Sequence, residues 1–121
     1  MLPEKTERTI LVKTRTKNIS IGQSKISYLE ADSNYCYIHL TDGIRIVVSK
    51  CLKQVQSSME DSQFLKIHRK YVINIAHVYC IDISRSTIIM KSGAAVNISR
   101  SRKKEVTQWY TDYHTVMQEA G

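Results

Sequence analysis

The sequence predicts a β-rich α+β domain with two helices, the second of them C-terminal. Three observations lead there. Apolar residues recur in short runs, several alternating with polar ones, that are closed off by Gly, Ser, Asn and Asp, the pattern of half-buried strands and their turns. Two stretches, Leu52 to Met59 and Val106 to Met117, instead repeat apolar residues three and four apart, the period of a helix lying on a core. Finally, 121 residues with 42% hydrophobic content, four Gly and one Pro suit one ordered domain, able to bury roughly two thirds of its unfolded surface without a disulfide or a metal.

Residues 1–8 are polar and mixed in charge and read as a linker remnant or flexible start. The domain is expected over 9–117, with 118–121 as a flexible tail. Thr9–Lys13 and Lys17–Ile21 are β-type runs separated by the basic link Thr14-Arg15-Thr16 and closed by Gly22, which predicts a hairpin. Ser27–Ala31 reads as a further strand. Asp32-Ser33-Asn34 is a turn cluster that re-aims the chain into Tyr35. A second hairpin follows, with Cys36, Ile38 and Leu40 on one face of its first strand, Thr41-Asp42-Gly43 as its turn, and Ile44, Ile46 and Val48 together on its second.

Ser49 can cap a helix carrying Leu52, Val55 and Met59, with its end near Asp61-Ser62. Phe64–Asn74 sets two apolar runs around the polar cluster His68-Arg69-Lys70. Tyr79–Ile83, Thr87–Met90 and Ala94–Ile98, parted by Ser84-Arg85-Ser86 and Lys91-Ser92-Gly93, predict an antiparallel meander. The last helix would be capped by Ser99 or Ser101, with Val106, Trp109, Tyr110, Tyr113, Val116 and Met117 as one apolar stripe.

Charge narrows the function. Eighteen Lys and Arg against 11 Asp and Glu leave a net charge of +7, which favours a polyanionic partner, nucleic acid or an acidic membrane face. No apolar run approaches the ~18 to 20 residues that span a bilayer, and Met1-Leu2-Pro3-Glu4-Lys5 lacks a signal-peptide core, so a soluble cytoplasmic protein without a membrane partner is expected. Cys36, Cys51 and Cys80 are widely spaced, without a Cys-x-x-Cys pair, and read as reduced, small apolar residues. His77 and Cys80 with His39 and His68 lack the paired ligand spacing of a zinc site, and no cofactor is expected. Nor is catalysis: His68 with Cys80 or Asp82 is the best enzymatic alternative, unsupported by a Gly-rich phosphate loop, a carboxylate pair or a triad.

Three polar clusters lie where a strand or helix pattern meets a turn. In Asp32-Ser33-Asn34-Tyr35, Asn34 can pair with an adenine edge and Tyr35 can bond a phosphate or stack; the plainer reading is an Asx-type turn with Tyr35 on the sheet. In His68-Arg69-Lys70, with Asn74 beyond, Arg69 offers a planar fork for guanine or phosphate, Lys70 a mobile charge, and His68 a donor; the plainer reading is a solvated charge run between strands, with Asn74 capping a turn through its side chain. In Asn97–Lys104, four basic residues gather at the mouth of the last helix, where they oppose the macrodipole. A phosphate at that helix start would reverse the sign; the plainer reading is solvated charges with aliphatic stems lying over the strands.

Three stretches carry a family resemblance: Ile26–Ala31 running into Asn34-Tyr35, Phe64–Asn74, and Val96-Asn97-Ile98-Ser99-Arg100 followed by a basic helix. In order and spacing, over about residues 9 to 110, the chain resembles the LytTR (LytR/AlgR-type) DNA-binding domain of bacterial transcription regulators. The resemblance implies an elongated arrangement of small antiparallel sheets with helices packed against them, and double-stranded DNA bound by inter-strand loops that enter successive major grooves. It implies Asn34, Tyr35, His68, Arg69, Ser99, Arg100 and Arg102 as DNA-binding residues, with Lys70 and Lys103 on phosphates. It also implies a homodimer on repeated half-sites and, in a longer chain, a receiver domain of a two-component response regulator. The alternative is a basic β-rich module for single-stranded RNA or an acidic protein, with Tyr35, Tyr37 and Tyr71 as stacking faces.

Overall fold

A computed structural model describes residues 7–59 and 63–120. Strands β1 (Thr9–Lys13) and β2 (Asn18–Gly22) pair as the first hairpin. Its basic link is a tight turn in which Thr14 N–H donates to Lys17 O at 2.8 Å and Lys17 N–H donates to Thr14 Oγ1 at 2.9 Å. Strands β3 (Ile26–Asp32), β4 (Tyr35–Leu40) and β5 (Arg45–Val48) then lead into helix α1 (Leu52–Ser57). Strands β6 (Phe64–His68) and β7 (Tyr71–Asn74) complete an antiparallel five-stranded sheet in the order β5-β4-β3-β7-β6. The expected meander is β8 (Val78–Asp82), β9 (Thr87–Met90) and β10 (Ala95–Asn97), followed by α2 (Lys103–Tyr113).

The central sheet is covered on both faces, because alternate residues of each strand point to opposite sides. Leu29 and its partner Val72, with Cys36 and Ile38, meet Val12 and Ile21 of the hairpin and Leu52 and Val55 of α1. On the other side Ile67 and Ile73 meet Ile88, Met90 and Val96 of the meander and Val106 of α2. Cys36 is one of these core residues, and burial pushes its thiol pKa up to about 11.

Helix ends depart from the expectation. The residue at the start of α1 is Cys51, not Ser49: Cys51 N–H donates to Gln54 Oε1 at 3.1 Å, and the Cys51 side chain takes the Gln54 backbone N–H. Cys51 is therefore an exposed capping residue, not an apolar one. Helix α1 ends at Ser57, and the predicted end at Asp61-Ser62 falls outside the described residues. Neither Ser99 nor Ser101 caps α2. Arg102 holds that position without a side-chain capping bond, and Ser99 instead precedes a 3-10 turn over Arg100–Arg102. The apolar stripe also breaks off early, since Val106 alone is fully buried in α2 and Val116 and Met117 lie beyond it, exposed. Ile44, expected within the second strand of that hairpin together with Ile46 and Val48, is exposed ahead of β5.

Asn74 is 1% exposed at the end of β7. Its Nδ2 donates to Ile26 O and its Oδ1 accepts from Ala76 N–H, both at 3.0 Å, so it ties the start of β3 to the 3-10 turn Ile75–His77. Its part is the structural one, a turn cap.

Candidate nucleic-acid interface

Strand direction decides where the polar clusters lie. β3 is antiparallel to both β4 and β7, β4 to β5, and β7 to β6. Strands β3, β5 and β6 therefore run the same way and finish at one end of the sheet. The β3–β4 and β6–β7 turns are neighbours at that end, joined where Ala31 N–H donates to Lys70 O at 2.8 Å. Here the chain presents Asn34, Tyr35, Arg69 and Lys70, all exposed. Ser33 holds a left-handed backbone, φ 55°, in the tight turn that turns Asn34 outward.

A register shift between Lys66 and His68 brings in the third cluster. Such a bulge lifts one residue out of the ladder, and here the residue is Ile67. Its side chain enters the core, while its carbonyl accepts Ser99 N–H at 2.9 Å. The bulge also returns His68 to the face of Tyr71, its register partner, with the rings 5.4 Å apart. The junction of β10 with α2 is thus fixed beside the β6–β7 turn, and the three clusters become one surface.

The members of the third cluster differ in orientation. Arg100 is exposed and Lys103 half-buried. Arg102 points back to the fold, 3.5 Å from Lys66 O and 3.4 Å from Glu105 Oε1. Ser99 Oγ is buried, with no hydrogen-bond partner among the described residues. Among the described residues, neither Arg69, Lys70, Arg100 nor Lys103 has a carboxylate within 4.0 Å, so their charge is open to an external anion.

Behind the turns runs a cross-strand band that the sequence reading missed. Tyr28 stacks on His39 at 4.1 Å and approaches Tyr71 at 6.5 Å; His39 Nε2–H donates to Glu30 Oε1 at 2.9 Å, and Arg45 covers the Tyr37 ring at 4.5 Å. Tyr37 Oη donates to Asp32 at 3.1 Å. The signal was the strand alternation itself, which sets Tyr28, Glu30, Tyr37 and His39 on one face. Contacts of this kind hold the turns from behind and leave their tips free.

His68 Nδ1 accepts Lys70 N–H at 3.1 Å, so in the neutral ring the proton sits on Nε2. Burial first, then Arg69 and Lys70, hold its pKa below 6.5. With a lowered folded-state pKa, the unfolded chain binds the proton first as pH falls. Stability should therefore drop as the pH goes from 6.5 down through the folded pKa. Melting His68→Asn beside the parent at pH 7.5 and 5.5 tests this: the variant should lose less on acidification, and equal losses would contradict it.

The comparisons with known proteins bear on this surface. Residues 8–111 match the family model described as the LytTr DNA-binding domain. The chain belongs to that family. LytTr domains are DNA-binding domains of transcription regulators, not an enzyme family. The chain is 31% identical over 76 residues to the CO-responsive transcriptional regulator RcoM of Rhodospirillum rubrum, covering 61% of this chain and 32% of RcoM. It is 32% identical over 62 residues to the sensory transduction protein LytT of Bacillus subtilis, covering 49% of this chain and 26% of LytT. The chain thus spans about a third or less of these relatives. A solved LytTr DNA-binding domain from Bacillus cereus superposes with a TM-score of 0.73 at 21% identity, covering 88% of this chain and 99% of that one. Its fold is the LytTr fold, as the sequence led us to expect. Among the described residues no helix is long and apolar enough to cross a membrane.

Proposed function

We propose that this LytTr domain binds double-stranded DNA sequence-specifically through its inter-strand turns, as the output domain of a bacterial transcription regulator in the cytoplasm. The observation that carries the reading is the convergence of the three clusters, tied by the Ala31–Lys70 and Ile67–Ser99 backbone bonds. Four strand spacings of about 4.8 Å make that end of the sheet about 19 Å wide. This exceeds a major groove of about 12 Å, so the turns and the α2 junction beyond them address more than one groove. Asn34, His68 and Arg69 are the base-reading candidates on the turns and Arg100 on the junction, with Tyr35, Lys70 and Lys103 on the backbone. Ser99 and Arg102 act from behind, one through its N–H and the other by bracing the junction against Lys66 and Glu105.

RcoM and LytT are longer than the matched stretch. We place this domain in a longer chain that carries a receiver domain, as in two-component response regulators, with two copies acting on repeated half-sites.

Selection from a random duplex pool, with single-stranded RNA and DNA as competitors, tests the reading. A recurring duplex motif is expected, and preference for single strands would overturn it. On the selected site Arg69→Ala should cost about 1 to 3 kcal/mol and relax preference at one base pair, whereas Lys103→Ala should weaken selected and random duplexes alike. Equal losses on both duplexes for both variants would reduce Arg69 to a backbone contact.

A further inference from the structure

We propose that the tip of the β1–β2 hairpin and the residues just after β5 form a fourth DNA contact, a phosphate clamp made by Lys13, Arg15, Lys17 and Lys50 that flanks the β3–β4 turn. This deepens the DNA-binding reading above and rests on it.

Topology puts these residues together. Val48 pairs with Cys36, at the start of β4, so β5 leaves the sheet at the end where the recognition turns stand, and Ser49 and Lys50 continue beyond it. The hairpin begins at the opposite end. There Gly22 leads into the Gln23–Lys25 turn, and Lys25 O accepts Thr41 N–H from the β4–β5 turn at 2.9 Å. Five residues of strand carry the hairpin about 16 Å from that point. Its tip arrives beside the exit of β5: Lys13, Thr14 and Arg15 line one groove with Val48, Ser49 and Lys50.

The four basic side chains are exposed, and among the described residues none has a carboxylate within 4.0 Å. Across the loop end of the sheet the order is then hairpin tip with Lys50, β3–β4 turn, β6–β7 turn, and β10–α2 junction. Positive charge flanks both sides of the polar turns, with Arg100 and Lys103 on the far side. At the opposite end Lys25, His77 and Lys91 stand with Asp42 and Glu7, Lys91 N–H donating to His77 O at 2.7 Å and Ser24 N–H to the Glu7 carboxylate. Duplex DNA lying across the turns continues past the β3–β4 turn, and its nearest anions there are phosphates. Mobile Lys and Arg heads suit these contacts because phosphates recur along any sequence.

The experiment compares Arg15→Gln/Lys50→Gln with Lys25→Gln/Lys91→Gln, which removes the same charge from the opposite end. Each 121-residue variant is melted to establish folding, then titrated with the selected duplex and a scrambled one over a salt series. Arg15→Gln/Lys50→Gln should bind both duplexes about tenfold more weakly and lower the magnitude of the log–log salt slope by about 2. Hydroxyl-radical protection should shrink at one flank only, and the control pair should leave affinity and footprint near the parent's. Equal losses from both pairs would mean a net-charge effect and overturn the clamp, as would an unchanged footprint. If Arg69→Ala still relaxes specificity while Arg15→Gln/Lys50→Gln binds like the parent, the clamp fails and the DNA-reading surface stands. If the parent prefers no duplex at all, the underlying reading fails instead.

Discussion

Raising salt from 50 to 200 mM should weaken binding to the selected duplex about a thousandfold. Each phosphate neutralised by Lys or Arg releases condensed counterions and contributes about −0.9 to the slope of log affinity against log salt. Six contacts give a slope near −5, and a fourfold change in salt then costs about three powers of ten. The basic groups to supply them are at hand: Lys70, Arg100 and Lys103 at the turns and junction, Lys104 on α2, and Lys50 and Arg15 at the flank, none with a carboxylate within 4.0 Å among the described residues. Fluorescence anisotropy over a salt series measures the slope, and a value shallower than about −2 would contradict a surface of this kind. Base readout by Arg69 adds to affinity without setting the slope, so the selected and random duplexes should differ in intercept and share their steepness.

Strand positions were legible because each run carried both its alternation and its turn chemistry. Thr9–Lys13, Tyr35–Leu40 and Thr87–Met90 have the bounds read from sequence, and Gly43 and Gly93 sit in their turns with φ of 92° and 96°. Helix ends were less legible. Periodicity records which residues could share a face and not whether anything covers it: Val116 and Met117 continue the stripe of α2 yet are 58% and 87% exposed past its end. Strand order was out of reach, because β3 sits between β4 and β7 through partners such as Leu29 and Val72, far apart in the chain.

The same limit governed the site. Local sequence supplied the three clusters and their charge, and the family resemblance supplied their DNA-binding role. Their convergence depends on the bulge at Ile67, whose carbonyl meets Ser99 N–H, and nothing local to Lys66-Ile67-His68 announces a bulge. Direction was hidden as well: Arg100 and Arg102 are two residues apart, and one faces outward while the other turns to Lys66 and Glu105.

Replacing Asn74 by Ala should cost about 3 kcal/mol of stability, read as a lowered midpoint in urea. Two groups would lose their partner, the buried carbonyl of Ile26 and the half-buried N–H of Ala76, and an unsatisfied buried group costs about 1 to 3 kcal/mol. Asn74→Asp separates the two bonds. A carboxylate keeps the acceptor for Ala76 N–H but sets a negative oxygen against Ile26 O in a site that is 1% exposed. Burial of the charge would raise the folded-state pKa of that carboxyl, so the folded chain would bind the proton more tightly than the unfolded one. The Asp variant should therefore be least stable at neutral pH and regain stability as pH falls through its raised pKa, opposite in sign to the His68 effect. Its DNA affinity, measured well below the unfolding midpoint, should stay within about twofold of the parent's, because Asn74 lies at the end of β7 away from the β6–β7 turn. A loss of binding without a loss of stability would instead make Asn74 a DNA contact, the role its place in the Phe64–Asn74 stretch left open.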